Sequence, residues 1–314
     1  MRVAESDADL EAWRRVRIAV LPNERCETVE WMRRTMTPER IYLVAELDGV
    51  LAGSGLGGRS DLGHAGLHPR VLPGARRRGV GTAILLGLAE RAVGLGFEEA
   101  GTSVDDAGSL AFAERFGYRE VDRQIEMIRA IGAEPLVVAP AGVEIITVAE
   151  RPELWREAYD PLALQAFEDM ALDRPLVATL EQWERDWLAW PEATFLAMSD
   201  DLIVGCAGLQ RDVDVPERAE NALTAVLRGW RGRGIASALK RTTLAYAAAS
   251  GIREVYTWTQ QGNAAMRRLN QQLGYVERAV SISVRAPLPL SAAGYSSKSS
   301  QPPSSPGTKN ALSG

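Results

Sequence analysis

The sequence predicts a mixed α/β protein made of two tandem copies of one unit, and three observations carry that reading. A hairpin pattern, LVAELDGVLAG ending at Gly53, returns as FLAMSDDLIVG ending at Gly205, an offset of 152 residues. A Gly/Arg loop between a strand-like run and a long helical pattern, VLPGARRRGVGTAIL, returns as VLRGWRGRGIASAL, with Gly79 matching Gly234 at an offset of 155. The segment DDAGSLAFAERFGY returns as GNAAMRRLNQQLGY, with Gly117 matching Gly274 at an offset of 157. Three landmarks in one order at nearly constant spacing mark a duplication, and 314 residues suit two domains of ordinary size.

Each copy reads alike. In the first, residues 5–20 place acidic groups ahead of arginines on an amphipathic helical pattern, and 28–36 continue with a second helix. Residues 42–56 alternate around Asp48-Gly49, a pair that tolerates the left-handed backbone of a hairpin turn. A strand at 67–71, the loop, a helix at 82–94 and a strand at 99–104 follow. A short helix at 109–116 is headed by Asp106 and stopped by Gly117, and a strand at 121–129 closes the unit. In the second copy the same logic predicts a strand at 143–148, helices at 152–170 and 179–189, and a hairpin at 194–209 around Asp200-Asp201. A strand at 221–227, a helix at 235–249, a strand at 254–259, a helix at 264–273 between Asn263 and Gly274, and a strand at 276–284 complete it. Pro135, Pro140 and Gly142 mark the seam, which gives domains at 1–135 and 142–290 with a linker at 136–141. Residues 291–314, with eight serines and three prolines, bury too little apolar surface to fold and are expected to be a disordered tail.

Composition narrows the function. A balance of 36 basic against 41 acidic residues argues against a broad nucleic-acid surface and suits a cationic partner. Only Lys240, Lys298 and Lys309 are lysines, a skew that carries no mechanism by itself. Cys26 and Cys206 stand far apart without a CxxC, so neither a disulfide framework nor a zinc ribbon is expected. With no secretory leader and no long apolar window, a soluble cytoplasmic protein is expected. His64 and His68 stand four apart, but Gly66 and Pro69 oppose the helix that would align them, so a surface pair in a loop or strand is expected and no metal site. Gly53, Gly55 and Gly58 spell a GxGxxG, yet no helix pattern follows, and no Walker tripeptide occurs.

The repeated loop is the strongest chemical signal. Glycines at a helix start let backbone N–H groups converge on an anion, and the helix dipole adds to that attraction. Arg231, Gly232, Arg233, Gly234, Ile235 and Ala236 form such a cradle in the second copy, and Arg76, Arg77, Arg78, Gly79, Val80, Gly81 and Thr82 repeat it in the first. Its recurrence after a strand in both copies favours phosphate binding over a plain turn with solvated arginines. Asn263 and Asp106 serve as helix caps, and Asn263 equally suits a role in the cleft beside the loop. The acidic residues Glu168, Asp169 and Asp173, and Asp212, Asp214, Glu217 and Glu220, read as solvated charge or as partners of a cationic amine; Glu220, next to the central strand, is the candidate base.

The Arg-x-x-Gly-x-Gly/Ala loop and the short helix ending in Leu-Gly-Tyr resemble the GNAT superfamily of acyl-CoA-dependent N-acetyltransferases. Both copies are covered, in the tandem-GNAT arrangement of actinobacterial type that mycothiol synthase also has. The resemblance implies, in each domain, a mostly antiparallel mixed sheet with a V-shaped split between its central strands, flanked by helices, with acetyl-CoA in the split. It places the pyrophosphate on the two loops, the pantetheine arm along Val226 and Val71, and a hydrogen bond from that arm to Asn263. It also implies direct attack of an amine on the thioester, with backbone N–H groups stabilising the oxyanion. The usual proton-donating Tyr position is Asn270 in the second copy and Ala113 in the first, leaving Tyr275, Tyr246 or solvent as substitutes. The expectation is acetyl transfer from acetyl-CoA to a primary amine of a small molecule, in the C-terminal half of a monomer or homodimer. The first half, with Asp106 and Ala113 at key positions, is expected to be structural or weakly binding. Two alternatives stay open: a non-catalytic acyl-CoA-binding module, and a protein or peptide N-acetyltransferase.

Overall fold

The computed structural model describes residues 1–170, 172 and 174–291. Asp173 of the acidic run and residues 292–314 of the expected tail lie outside the described residues.

The first half opens with a two-residue strand that the sequence pattern does not announce, β1 (Arg2–Val3), before α1 (Asp7–Val20) and α2 (Val29–Thr35). Ser6 and Asp9 form a reciprocal capping box at the start of α1, and Thr28 caps α2. The hairpin is β2 (Ile41–Leu47) and β3 (Val50–Arg59), followed by β4 (Ala65–Val71), α3 (Val80–Gly94), β5 (Glu99–Val104), α4 (Ala107–Glu114) and β6 (Arg119–Ala130). The GxGxxG letters fall on β3, where Gly53, Gly55 and Gly57 face α3. A Cβ there would come within 2.6–3.1 Å of Ile84, Val80, Leu88 or the Arg70 carbonyl, so these glycines serve close helix-on-sheet packing.

The second half repeats the order with β7 (Glu144–Thr147), α5 (Glu153–Glu157), α6 (Leu164–Glu168) and α7 (Leu180–Asp186), then β8 (Thr194–Ser199), β9 (Leu202–Arg211) and β10 (Arg218–Val226). α8 (Ile235–Ala249), β11 (Glu254–Gln260), α9 (Ala264–Gln272) and β12 (Val276–Pro287) complete it. The single helix expected at 152–170 is broken by a wide π turn at Tyr159–Ala163. Pro161 sits inside that turn and has no N–H to donate, which is why the helix cannot run through.

Among the described residues twelve strands form one sheet in the order β1-β2-β3-β4-β5-β12-β6-β11-β10-β9-β8-β7. The halves exchange their last strands. β12 runs antiparallel to β5 of the first half, from Ile282 opposite Val104 to Pro287 opposite Glu99. β6 runs antiparallel to β11 of the second, from Ala130 opposite Glu254 to Gln124 opposite Gln260. Side chains follow: Val284 and Ala286 complete the core built by α3, α4 and the first-half strands, while Ile125 and Met127 enter the core of α8 and α9. Arg278 of β12 binds the buried Glu126 of β6 at 2.8 Å and Glu254 of β11 at 3.1 Å, tying the exchanged strands together.

Candidate functional site

Two places in the sheet come apart. β4 and β5 are parallel and pair only at Ala65 with Ala100 and Gly66 with Gly101. β10 and β11 are parallel and pair only from Arg218 with Glu254 to Glu220 with Tyr256. Beyond those residues each pair splays, leaving a V-shaped opening. In the second half a bulge between Asn221 and Thr224 bends β10 just after the last paired residue. The β3/β4 register has no such break.

Each opening ends at a Gly/Arg loop and a helix start. In the second half Gly232 (φ +77°) and Gly234 (φ +82°) take left-handed conformations, and α8 starts at Ile235. Among the described residues nothing accepts from the backbone amides of residues 232–237, and a Cβ on Gly232 would meet no atom within 4 Å. Free amides at the head of a fifteen-residue helix form an anion cradle. The first half matches in Gly79 (φ +85°) at the head of α3, but the position of Gly232 is taken by Arg77 at φ +62°. That backbone is uncommon and strained for a residue with a side chain.

The loop arginines are less free than expected. Arg231 donates from Nε to the Val226 carbonyl at 3.0 Å and pairs with Asp169. Arg228 binds Asp169 at 3.0 Å and Glu168 at 3.1 Å, and its amide donates to Gln165 at 2.6 Å. Glu168 and Asp169 are therefore loop braces, and hydrogen bonds from Arg228 and then Arg231 hold the Asp169 carboxyl below the usual carboxylate range. Arg233 lies over the Trp230 ring at 4.5 Å. In the first half Arg76 repeats the brace to the Val71 carbonyl at 3.3 Å, and Arg78 pairs with Asp48. Arg78, Val80, Gly81 and Thr82 lie at the head of α3, as Ala236 does at the head of α8. Asn263 Oδ1 accepts from the Met266 amide at 3.1 Å and Asp106 from that of Ser109 at 2.9 Å, so both are caps.

Glu220 stands where β10 and β11 part. Its Oε2 accepts from Arg25 Nε at 3.0 Å and from the Tyr256 hydroxyl at 3.4 Å. Arg25 belongs to the stretch between α1 and α2, whose Pro22 carbonyl also accepts from Arg218 at 3.1 Å. The first half thus reaches over the mouth of the second half's opening. The reverse also holds: Val177, between α6 and α7, donates to the Asp61 carbonyl at 2.7 Å, and Arg174 pairs with Glu99 at 2.8 Å.

Tyr275 is in the core instead of the opening. It is 2% exposed, its hydroxyl has no partner among the described residues, and burial pushes its pKa up, the opposite of what a proton donor needs. Tyr246 packs against Trp190 and Phe195. Asn270, at the usual Tyr position, is buried and donates to Thr259 at 3.1 Å. Sequence reasoning missed Lys240. It lies on the sheet-facing side of α8, 1% exposed, hydrogen-bonded to Asn221 and 5.3 Å from the Tyr275 ring. Burial lowers it to about 7. The one signal was a single lysine among the apolar positions of that helix.

The first half's opening is laced shut. His68 Nδ1 on β4 is 3.1 Å from Thr102 Oγ1 on β5, across the split, and His64 lies against Gly101. The two histidines are therefore not the surface pair expected, and burial followed by Arg70 lowers His68 to about 3. Pro69, in the same strand, has no N–H to offer a ligand.

Comparison with known proteins agrees with this geometry. The sequence profile described as the Acetyltransferase (GNAT) family matches residues 10–118 and again 151–275. The chain belongs to the GNAT acetyltransferase family. Its two GNAT regions align with mycothiol acetyltransferase of Geodermatophilus obscurus, 28% identical over 78% of this chain and 82% of that protein. Mycothiol acetyltransferase of Brachybacterium faecium is 30% identical over 74% of this chain and 71% of its own length. A GCN5-related N-acetyltransferase from Sphaerobacter thermophilus shares the fold with a TM-score of 0.70 at 23% identity, covering 90% of this chain and 94% of that one. As a GNAT acetyltransferase the chain is an enzyme of the acyltransferase class. Among the described residues no cluster of His, Cys, Asp or Glu could hold a metal ion, and no helix is long and apolar enough to cross a membrane.

Proposed function

We propose that this GNAT chain transfers the acetyl group of acetyl-CoA to a primary amine of a small molecule, and that the second half performs the reaction. The observation that carries this reading is the bulged parting of β10 from β11 at Glu220, directly upstream of a loop whose amides are unpaired. The residues present fit the co-substrate. The free amides of residues 232–236 suit a pyrophosphate, and Thr224 Oγ1, just past the bulge, is buried without a partner among the described residues. Glu220, ion-paired with Arg25, is placed to receive the amine's proton directly or through water. The carbonyl carbon gains the amine nitrogen and loses sulfur; the thiolate then takes its proton from solvent, since no side-chain donor faces it at the Asn270 position. A small-molecule acceptor is favoured by the relatives, which are named mycothiol acetyltransferases.

The first half supports a structural role in this reading, because Pro69, Arg77 and the bridge from His68 to Thr102 occupy the places of its opening, loop and strand. Release of free thiol from acetyl-CoA with pooled small amines tests the proposal. Arg231→Glu combined with Gly234→Asp should abolish CoA binding and turnover, and full activity in that double variant overturns the assignment. Asn270 favours one second reading, an acyl-CoA-binding module without turnover. Calorimetric binding of acetyl-CoA with no thiol release across a broad amine panel would select it.

A further inference from the structure

β10 carries one residue more than the strand it pairs with. From Asn221, opposite Leu209, to Val226, opposite Gly205, it takes an extra step that β9 does not. The equivalent stretch of the first half, from Leu67 opposite Gly57 to Val71 opposite Gly53, runs residue for residue. Asn221 thus stands where the first half has Leu67. Lys240 stands where it has Leu85, at the same distance behind the left-handed glycine that heads each helix. Leu67 and Leu85 are buried in one apolar core. The half with the unbroken strand has an apolar pair, and the half with the bulge has a polar one.

The polar pair grips the strand where β10 and β11 part. Lys240 Nζ donates to Asn221 Oδ1, and Asn221 Nδ2 donates to the Gly208 carbonyl of β9 at 3.0 Å. The Asn221 carbonyl accepts from Thr257 Oγ1 of β11 at 3.0 Å, one residue beyond the last paired position on each strand. Asn221 is therefore tied to α8, β9 and β11 at once. Both side chains are buried, and among the described residues no carboxylate pairs with Lys240. A buried amine is costly where leucine can pack, but an apolar pair would leave the extra residue free to lie anywhere along β10. Its place decides which face each side chain takes, because neighbours on a strand alternate and a one-residue slip exchanges the faces. With the bulge after Asn221, Asn221 points to α8 and Glu220 to the opposite face, against Arg25. We propose that Lys240 and Asn221 are positioning residues that pin the extra residue of β10 just past Glu220, holding Glu220 on the face it shares with Arg25. The catalytic part of this inference rests on acyl transfer in the second half; the pinning does not.

Rebuilding the first half's pair in the full chain, Asn221→Leu with Lys240→Leu, tests it. The variant should fold, since leucines pack at the equivalent places in the first half. Hydrogen exchange at the amides of residues 219–226 should quicken at least about tenfold, with residues 65–71 unchanged. The kcat for thiol release from acetyl-CoA should fall at least about a hundredfold. KM for acetyl-CoA should stay within about threefold of the parent's, because the loop at 231–236 is untouched. Each single replacement should do nearly the same harm, since half a clamp leaves the bulge free to move. If the double variant does not fold, Lys240→Met carries the reading with the same measurements. Parent-like exchange across residues 219–226 overturns the pinning, and quickened exchange with the parent's kcat overturns its part in catalysis. A parent without turnover toward any amine defeats the acyl-transfer reading alone, and exchange still decides the pinning.

Discussion

Lys240 is the residue whose chemistry departs furthest from its sequence appearance. A free lysine titrates near 10.5, whereas this one is brought to about 7 by burial. Between those values the unfolded chain binds a proton that the folded chain has released, so Lys240 makes stability rise with pH across about 7 to 10.5 and imposes its full cost below that range. Lys240→Met should therefore be more stable than the parent below pH 7. That advantage should shrink by at most about 1.4 kcal/mol per pH unit as pH rises through the window. Denaturant titrations of both proteins at several pH values check this, and a difference independent of pH would contradict it. Glycines were legible in the sequence because their roles are local: Gly234 and Gly274 take left-handed turns that the neighbouring pattern already demands. The roles of Lys240, Tyr275 and His68 were not, because each is set by what lies across the sheet. Nothing near His68 in sequence announces Thr102 on another strand.

At the level of elements, the loop before α8 depends on backbone shape. A Cβ at position 234 would make only an ordinary contact, with Pro140 Cγ at 3.9 Å, so the cost of Gly234→Ala comes from its φ of +82°. Stability should fall by roughly 1–2 kcal/mol, and binding of CoA should weaken through misaligned amides, measurable by calorimetry. The turn before β10 depends instead on charge. Asp212 accepts from Arg218 Nε at 2.8 Å and from the amides of Asp214 and Val215 at 3.1 Å, with both ion-pair partners buried. Asp212→Ala leaves the guanidinium uncompensated and should cost about 3–5 kcal/mol in chemical unfolding. The sequence pattern makes Asp212, Asp214 and Glu220 solvated charge or amine contacts. They are neither alone: Asp212 and Asp214 fasten the strand and the first-half helix, while Glu220 remains at the opening.

For the whole molecule, the repeat was readable and the strand exchange was not. β6 and β12 follow equivalent helices with equivalent patterns, so a strand paired at home and a strand paired across leave the same trace in the sequence. Only the sheet order distinguishes them. Separate expression of residues 1–138 and 139–291 should give two unstable fragments, since each carries the central strand that completes the other's part of the sheet. Co-expression should restore a one-to-one complex with the parent's acetyl-CoA binding, detected by co-purification; two stable, independent monomers would contradict the exchange as the basis of folding. The crossing also orders events in time. During synthesis the first half's β5 emerges with no neighbour on that side, and β12, which supplies it, is made only after the whole second half. Until then the nascent chain displays an open strand edge. Chaperone occupancy and aggregation should peak in that interval and collapse once residues 276–287 leave the ribosome.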